Sequence, residues 1–392
     1  MIGCGQKRLC YAPPPIPLPC EATLQTANRR TAGGIDLRRR GKSPMKNHFR
    51  RSAAREPLRR VRLPLPYSGY TKDASTTRGD GVRVLVVGWA SFLHGEATAG
   101  DVAAMERVAT ALHAAGVPCD CAWSPGFEPG AMSLSEAEPR DYTDVVFTCG
   151  PAQGWQLREL HQRYARCRRI AVGVSVVDPG DPAVTGFDVV LARDGPGTPV
   201  QDLASHRPCR PLPVAGVALA PGQPEYGDRR RHDELHRVLR EWINALDCAP
   251  LELDTRLDTG DWRHCSTPEQ FAVLVGRTDV VLTSRLHGLV FALSSGVPAL
   301  AVDPVDGGGK VSAQAEAWNW PAVVGVDEVL QSRRPWEVLD DWWSWCTSPI
   351  AQALARMRAR TDVDTSRGLT ERMLAELRGC AVAGSGADDR QG

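Results

Sequence analysis

The sequence predicts an α/β protein with two doubly wound parallel sheets, because three features of residues 82–330 agree. Short runs of β-branched residues alternate with longer segments of helical periodicity. Within each run, apolar residues occupy consecutive positions, which is typical of parallel strands covered on both faces. A proline-rich segment, residues 195–213, interrupts the alternation once, as a linker between domains would. Each half is therefore predicted to be a Rossmann-like domain.

The first half contains four predicted strands and two predicted helices. Asp101 is suited to the N-cap of a helix over residues 100–116, and Gly116 is suited to the position that follows its last turn. The apolar period predicts a second helix over residues 154–167. The strands are VRVLVVGW (82–89), DVVFTCG (144–150), RIAVGVSV (169–176) and DVVLARD (188–194).

The second half repeats the alternation and ends in helices. In STPEQ, Thr267 fits the N-cap, Pro268 the first helical position and Gln270 the capping-box partner. Gly296 is suited to end the helix that follows His287. Residues beyond about 335 are predicted to be helical. The strands are PVAGVALAP (213–221), PLELDT (250–255), DVVLTS (279–284), VPALAV (297–302) and PAVVGV (321–326), and the helices are 233–248, 267–277 and 288–296.

The charge distribution separates the first 80 residues from the rest. The chain of 392 residues has a formal net charge of +1, yet residues 1–80 hold 17 Lys and Arg against 5 Asp and Glu. This segment is also rich in proline and poor in aromatic residues, so it cannot bury enough surface to offset the entropy of ordering. We predict a disordered leader over 1–80, an N-terminal α/β domain over 81–205, a C-terminal α/β domain over 206–335, and C-terminal helices with a tail over 336–392.

Composition also excludes several classes of protein. No apolar run reaches the roughly 18–20 residues of a membrane helix, and none after Lys7 and Arg8 fits a secretory signal. We therefore expect a cytoplasmic chain, with a peripheral position at a membrane left open. The basic leader leaves an anion-binding arm open, but the acidic body has no basic stripe with aromatic residues, so no nucleic-acid partner is expected. Neither the 12 cysteines nor any His, Asp and Glu cluster has metal-ligand spacing, so no metal is expected.

The sharpest local feature is TSRLHG, residues 283–288, which follows an apolar strand and precedes an apolar helix. Open α/β sheets bind ligands at the carboxyl ends of their strands. In an extended segment, Arg285 and His287 would point to one side and Leu286 toward the core. An arginine fork suits a carboxylate or phosphate, and histidine changes charge near neutral pH, so the pair suits an anionic substrate that needs a proton. One structural alternative stays open, in which the histidine caps the helix and the arginine pairs with an aspartate.

Three further segments are candidates because each one follows a strand. Gly307–Gly309 would let the backbone approach a ligand, and Lys310 adds a positive charge at a helix start. A mobile surface loop fits the three glycines equally well. Gly100 and Asp101 begin a helix whose N–H groups would favour an anion or a polar sugar face. Arg193, with the aspartate that follows it, either contacts a ligand or fixes the linker.

The second-half motif resembles the signature of the polysaccharide pyruvyl transferase family. In that family a strand ends in S-R-x-H-G, a helix and G-x-P-x follow, and a lysine lies about two dozen residues beyond the histidine. Here DVVLTSRLHGLVFALSSGVPALAVDP begins at Asp279, and Lys310 follows it. The resemblance spans roughly residues 82–330.

Segments of the first half extend this resemblance, with departures. Thr98 stands where the family has asparagine, Thr198 lies near the family's serine, and Asp303 or Pro304 stands where a tyrosine commonly precedes the lysine. The resembling segments are TAGD (98–101) for N-x-G-D, CGPAQG (149–154) for the glycine-rich turn, and LARDGPGT (191–198) for R-[DE]-x-x-S.

The resemblance implies transfer of the enolpyruvyl carbon of phosphoenolpyruvate to sugar hydroxyls as a ketal, with release of phosphate. It also implies a fold similar to the two-domain GT-B glycosyltransferases. Phosphoenolpyruvate is then the donor substrate and no cofactor is expected, while the acceptor is a sugar, nucleotide sugar or lipid-linked glycan of a cell-surface polysaccharide. His287 would be the general acid that protonates the methylene carbon. The implied substrate-binding residues are Ser284, Arg285, Gly288, Lys310, Arg193, Asp101 and Gly100.

Several alternatives remain open at this stage. Neither motif nor spacing identifies the base for the sugar hydroxyl, and Asp101, His94, Asp194 and Asp303 are all candidates. A GT-B glycosyltransferase would use similar loops for a nucleotide sugar, although the paired glutamates typical of many such donor sites are missing from the sequence after the glycine loop. A relative that binds glycan or a protein without turnover is the third hypothesis.

Overall fold

A computed structural model describes residues 81–205, 210–360 and 365–384 of the chain. The predicted leader, residues 1–80, lies outside the described residues. Two five-stranded sheets, all of whose strand pairs are parallel, carry helices along the connections. The predicted fold class is therefore confirmed, while the domain boundaries stay a prediction.

The first sheet has the strand order β2-β1-β3-β4-β5. The chain runs from β1 to β2 on one side and then crosses to β3 on the other side of β1. Its helices are α1 (Ala99–Ala114), α2 (Trp155–Arg163) and the short α3 (Pro182–Thr185). The strands are β1 (Val84–Gly88), β2 (Cys119–Cys121), β3 (Asp144–Thr148), β4 (Arg168–Ser175) and β5 (Val189–Asp194).

The second sheet repeats this topology with the order β7-β6-β8-β9-β10. Here too the chain goes to one side of the first strand, from β6 to β7, and returns to the other side at β8. The strands are β6 (Val214–Ala218), β7 (Ala249–Glu252), β8 (Val280–Thr283), β9 (Ala299–Asp303) and β10 (Val323–Gly325). The helices are α4 (His232–Ala245), α5 (Pro268–Val275), α6 (Leu286–Ser294), α7 (Lys310–Ala317) and α8 (Val326–Leu330).

Three helices complete the described chain: α9 (Pro335–Cys346), α10 (Pro349–Arg360) and α11 (Thr365–Gly384). Helices α9 and α10 pack on the second sheet, α9 against β9 and α10 against α6. Tryptophans make much of this contact: the ring of Trp343 meets Trp242 edge-on at 6.3 Å, and the ring of Trp345 meets Trp320 at 5.3 Å. Edge-on aromatic pairs of this kind add to the free energy gained from burial alone.

Most of the predicted caps are present, with one correction. The N-cap of α1 is Thr98 and not Asp101, because the Thr98 hydroxyl accepts the Asp101 N–H at 3.2 Å and donates to the Asp101 carboxylate at 2.7 Å. Asp101 therefore occupies the third helical position, where a carboxylate also complements the helix dipole. Gly116 and Gly296 follow α1 and α6 at φ of 70° and 73°, as expected for C′ glycines.

The capping box of α5 differs slightly from the prediction. The hydroxyl of Thr267 accepts the Gln270 N–H at 3.3 Å, so Thr267 is the N-cap. The Gln270 side chain reaches one residue further back than predicted and accepts the Ser266 N–H at 2.7 Å. Both bonds satisfy N–H groups that the helix itself leaves open.

Sequence reasoning missed two elements of the first sheet. Strand β2 reads Cys-Asp-Cys, three residues without a β-branched side chain, so its apolar pattern is too weak to predict a strand. Helix α3 has four residues and depends on the Asp181 cap, whose carboxylate accepts the Ala183 N–H. Among the described residues, none of the helices is both long and apolar enough to cross a membrane.

Candidate functional site

The second sheet has its topological switch point between β6 and β8, since the chain leaves β6 in opposite directions for β7 and β8. The crevice beyond the carboxyl ends of such strands is where open α/β sheets bind ligands. Ser284 and Arg285 directly follow β8, and α6 begins at Leu286. The predicted motif therefore lies at the position that topology favours for a site.

Short hydrogen bonds fix the ends of β6 and β8 to each other. The Thr283 hydroxyl donates to the Ala218 carbonyl at 2.8 Å and accepts the Arg285 N–H at 2.9 Å. The Ser284 hydroxyl oxygen accepts the Ala220 N–H at 2.9 Å. All three bonds are buried or half-buried, so the backbone that carries Arg285 is held rigidly.

Ser284 turns into the protein interior, where it meets a histidine. Its Oγ lies 2.8 Å from His236 Nε2, and both side chains are buried. Burial lowers the pKa of His236 to about 4, so the ring is neutral at pH 7, and its tautomer decides which of the two groups donates this hydrogen bond. Because the Ser284 hydroxyl binds both His236 and the Ala220 N–H inside the fold, Ser284 is placed to position the strand end. The substrate contact expected for it remains a prediction.

His236 is the residue of this region that sequence reasoning missed. It lies on the buried face of α4, together with His232, Leu235, Leu239 and Trp242. The ring of His236 meets that of His232 edge-on at 5.9 Å, and burial also lowers the pKa of His232. Two histidines four residues apart on an otherwise apolar helix face were the available signal.

Arg285 and His287 occupy the first turn of α6, and here one expectation was wrong. The chain is already helical at Leu286, so extended alternation does not apply: Gly288 and Leu289 are the buried residues of this turn, and Leu286 is only partly buried. Arg285 is the N-cap and its side chain makes no capping bond. His287 is exposed at the second helical position. The helix N-terminus thus presents N–H groups and positive dipole beside two basic side chains.

Position 288 requires a glycine because the first turn of α6 packs closely on the ends of β6 and β8. A Cβ at this position would lie 2.3 Å from Thr283 Oγ1 and 3.3 Å from the Ala218 Cβ. Both of these neighbours belong to the hydrogen-bonded ends of β8 and β6. The glycine therefore lets α6 begin directly above the switch point.

The Arg285 guanidinium is half-buried and oriented by an aspartate. Its Nη1 lies 3.3 Å from Asp254 Oδ1, in the segment that follows β7. Asp254 also binds Arg256 at 2.5 Å, and that hydrogen bond is the main reason why the pKa of Asp254 is lowered. The structural alternative of an Arg-Asp pair is therefore present. This contact uses Nη1, so the other N–H groups of the Arg285 guanidinium are suitably arranged to bind an anion.

Lys310 begins α7, directly after the glycine loop that follows β9. Since β8 and β9 are parallel neighbours, this loop leaves the same edge of the sheet as Arg285. The Lys310 ammonium lies 3.4 Å from Glu225 Oε1 and 6.0 Å from the centre of the Tyr226 ring. It is only partly exposed, and its charge is shared with one exposed carboxylate.

Asp303 organises this loop instead of serving as a free base. Its carboxylate is fully buried at the end of β9 and accepts the N–H groups of Val305, Gly309 and Ser312, together with the Ser312 hydroxyl. All four donors belong to the loop and the start of α7, so the carboxylate is buried away from any sugar hydroxyl. This geometry argues against Asp303 among the candidate bases.

An arginine on the neighbouring segment holds the same loop from outside. The Arg229 guanidinium donates to the carbonyls of Asp306, at 3.0 and 2.8 Å, and of Gly308, at 2.7 Å. Gly307 and Gly308 have φ of 70° and 85°, a conformation that glycine adopts without strain. The three glycines therefore form a fixed turn, and the alternative of a mobile loop is not favoured.

The first-sheet candidates have a different character. Arg193, at the end of β5, donates to Asp194 at 2.8 Å, to the Ser175 hydroxyl at 2.6 Å and to Asp202 in the linker. The hydrogen bonds that Arg193 donates to Asp194 and, with a smaller effect, to Asp202 raise the pKa of Arg193. The Arg193 guanidinium thus binds partners inside the protein, which favours the structural alternative in which Arg193 fixes the linker.

Gly100 and Asp101 lie in the first turn of α1. Asp101 is buried and binds the Thr98 hydroxyl, so its carboxylate acts in helix capping. At Gly100 a Cβ would meet only Thr98 Oγ1, at 3.7 Å, so no packing requires a glycine there. Thr98 caps the helix as the asparagine of the resembling family would.

No group of three or more His, Cys, Asp or Glu residues within the described ranges could hold a metal ion. A rigid strand end, a helix N-terminus, an arginine and an exposed histidine can bind an anion and deliver a proton to it.

Comparison with known proteins agrees with this location. The model of the polysaccharide pyruvyl transferase family matches residues 250–306, which include Asp254, Arg285 and His287. The resemblance seen in the sequence is thus confirmed over this segment. Among curated proteins, none matches the chain in sequence.

Solved structures that superpose on the chain include several enzymes of sugar metabolism. Spinosyn rhamnosyltransferase SpnG complexed with thymidine diphosphate is 12% identical, covers 71% of this chain and 95% of its own, and has a TM-score of 0.26. The calicheamicin glycosyltransferase CalG4 is 14% identical, covers 72% of this chain and 94% of its own, and has a TM-score of 0.26. The UDP-GlcNAc 2-epimerase from Methanocaldococcus jannaschii is 11% identical, covers 74% of this chain and 99% of its own, and has a TM-score of 0.25. At these TM-scores the superpositions carry no argument, and the fold class follows from the strand order itself.

Proposed function

We propose that this protein is a transferase that moves the pyruvyl group of phosphoenolpyruvate onto two hydroxyls of a sugar in a cell-surface polysaccharide or its precursor. The observation that supports this most is the position of Arg285 and His287. Both lie in the first turn of α6, at the switch point of the second sheet, inside the segment that the pyruvyl transferase family matches.

The donor's charges fit the groups at this edge of the sheet. Phosphoenolpyruvate carries a carboxylate and a phosphate, which require cations and N–H donors. Arg285 would bind one of these anions while Asp254 holds its Nη1, and the first turn of α6 would add N–H groups. Lys310 would leave Glu225 for the second anion, since an ion pair at the surface is screened by water and contributes little to stability.

The reaction requires one proton donor and one proton acceptor. His287 would give its proton to the methylene carbon of phosphoenolpyruvate, which becomes the methyl group, and C2 would then accept the first sugar hydroxyl. That hydroxyl loses its proton to the base. The C2–O bond to phosphate then breaks, and the second hydroxyl adds to C2 to close the ketal. Its proton leaves with the phosphate as hydrogen phosphate, so atoms and charge balance.

The base is the role with least support from the geometry. Asp101 and Asp303 are buried and committed to internal hydrogen bonds, and Asp194 is paired with Arg193. Glu225 is an exposed carboxylate beside Lys310, at the loop after β6, and we propose it for this role. The hydrogen bond from its own backbone N–H, and then Lys310, lower the pKa of Glu225, so it is ionised at neutral pH.

Calorimetric titration of phosphoenolpyruvate into the full chain tests the proposal. We expect saturable binding that weakens at least tenfold in Arg285→Ala. Arg277→Ala is the matched control, because Arg277 is exposed and lies before β8, at the amino edge of the same sheet. Nucleotide sugars serve as competitors in the same titration. Tight binding of a nucleotide sugar without binding of phosphoenolpyruvate would replace the proposal by glycosyl transfer, and silence toward both would favour the non-catalytic hypothesis.

A further inference from the structure

A cavity of about 470 Å³ lies on the first sheet and includes His94, one of the candidate bases of the sequence analysis. Its lining comes from the segment that follows β1, Ser91–His94, and from α2. Pro125 and Ser133–Ser135 complete the lining. Since β1 and β3 flank the switch point of this sheet, and Ser91–His94 and α2 follow β1 and β3, topology favours a ligand here as well.

The cavity is framed by a rigid floor. Phe92, Ser91, Ser133 and Leu160 are buried, and the Phe92 ring packs on Trp89 at 5.6 Å. Arg163 donates to the carbonyls of Ser135 and Ala137, at 3.0 and 3.2 Å, which ties this part of the lining to α2. The volume falls within the roughly 300–1,000 Å³ of ligand pockets.

Two large apolar side chains are exposed at this cavity. Trp155, the first residue of α2, is 54% exposed, and Leu93 is 68% exposed. An indole held at a helix start with half its surface in water is a typical recognition group, because it offers a flat apolar face at a low entropic cost. The C–H face of a pyranose ring matches such a surface.

The polar groups of the lining indicate a neutral ligand. Gln156 and Glu159 line the cavity together with Trp155, and Glu159 lies one helical turn beyond the indole on the same face of α2. Both accept hydrogen bonds from hydroxyls, and the exposed Glu159 would repel an anion. The Arg163 guanidinium is already bound to two carbonyls. A phosphate beside the Trp155 indole would therefore meet the Glu159 carboxylate, although the lining also includes the exposed His94.

We propose that this cavity binds a pyranose unit of a neutral glycan, with the C–H face of the sugar on the Trp155 indole and its hydroxyls on Gln156 and Glu159. The binding claim stands on the cavity alone. The additional claim that this glycan is the acceptor of the pyruvyl group rests on the proposed function. The two are separable, because phosphoenolpyruvate and the sugar would occupy different sheets.

Saturation-transfer NMR with the full chain tests this directly, since it detects millimolar binding. The probes are methyl β-glucopyranoside, methyl β-galactopyranoside, methyl α-mannopyranoside and N-acetylglucosamine. We expect transfer to the ring C–H protons of at least one probe, and an affinity about tenfold lower in Trp155→Ala. Trp155→Phe keeps an aromatic face and should stay within about threefold of the wild type.

Trp262→Ala is the matched control, because Trp262 is 92% exposed in the loop between β7 and α5 of the second sheet. It should leave sugar binding unchanged, as should Arg285→Ala. Thermal unfolding of each variant confirms that it folds. Equal binding by Trp155→Ala and wild type, or no transfer to any probe, overturns the proposal. Stronger binding of glucose 6-phosphate than of the neutral probes would overturn its neutral-ligand part.

Discussion

The two sheets share one strand order but use their switch points differently. In the second sheet, Ser284 and Arg285 follow β8, and His287 lies in the first turn of α6. In the first sheet, the corresponding position is aromatic: a Cβ at Gly150 would lie 2.2 Å from the Trp89 ring, which itself packs on Phe92 and Phe147. Topology thus decides where a site can form, and the side chains at that point decide which ligand it suits.

The arginines of the two sheets show the same contrast. Arg193 and Arg285 both follow or end a strand at a carboxyl edge, and the sequence alone predicts similar roles for them. Arg193 is held by two aspartates and a serine. Arg285 contacts Asp254, and Asp254 also binds Arg256, so two arginines share this one carboxylate. These partners favour a structural role for Arg193, whereas the geometry of Arg285 suits a ligand; the substrate contacts expected for both arginines remain predictions.

The largest effect that would sharpen this comparison is expected at His287. On the proposed function, His287→Ala should lower kcat about a thousandfold, because it removes the general acid, and should leave phosphoenolpyruvate affinity within a few fold. His113→Ala, at the exposed end of α1 in the first sheet, is the control. Phosphate release in single-turnover assays measures the effect. Unchanged turnover in His287→Ala would contradict the acid assignment.

The next effect concerns the buried histidine beneath the second switch point. Because burial lowers the pKa of His236 to about 4, the unfolded chain binds its proton at higher pH than the folded chain does. The free energy of unfolding should therefore fall as the pH drops from about 6.5 to about 4, by about 3 kcal/mol from this group. His232 contributes in the same direction.

Urea denaturation at several pH values measures this dependence. His236→Asn removes the titrating group and should flatten the profile between pH 6.5 and 4, while the contribution of His232 stays. Ser284→Ala removes the hydrogen-bond partner but not the buried ring, so its profile should keep most of the slope. A variant without His236 that has the slope of the wild type would show that this ring does not titrate as we infer.

The two arginines provide the third prediction. Arg285→Ala should weaken phosphoenolpyruvate binding about thirtyfold, or about 2 kcal/mol, with little change in stability. Arg193→Ala should do the reverse, because it leaves Asp194 and Asp202 without their partner. Calorimetry and urea denaturation on both variants separate the two effects. Equal losses of affinity would mean that both arginines serve one ligand, and the contrast drawn above would fail.

The smallest effect distinguishes two glycines in first helical turns. Gly288→Ala should lower the free energy of unfolding by about 1.5 kcal/mol, since its Cβ would lie 2.3 Å from Thr283 Oγ1 in a hydrogen-bonded strand end. Gly100→Ala should be neutral or slightly stabilising, because only Thr98 Oγ1 approaches that Cβ, at 3.7 Å. Urea denaturation midpoints compare the pair. A destabilised Gly100→Ala would reveal packing at α1 that the structure does not show.

Sequence periodicity was sufficient for much of the fold because buried parallel strands are apolar at consecutive positions. Nine of the ten strands within the described residues were predicted, and the exception was Cys-Asp-Cys of β2. Helix ends with a steric requirement, such as Gly116 and Gly296, were equally readable. The cap of α1 was assigned to Asp101 and not Thr98 because both residue types cap helices, and local sequence does not rank them.

By itself, the sequence determined the class of fold and the location of a basic motif at the end of β8, because both depend on short-range patterns. Only the tertiary structure decided what each side chain does there. Arg193, Asp303 and Ser284 each have a partner outside the strand that carries or precedes the residue: Asp202 lies in the linker, Ser312 in α7 and His236 in α4. The pairing of Ser284 with His236 joins residues 48 positions apart, and it forms only when the folded sheet brings α4 to the end of β8, so no local pattern encodes it.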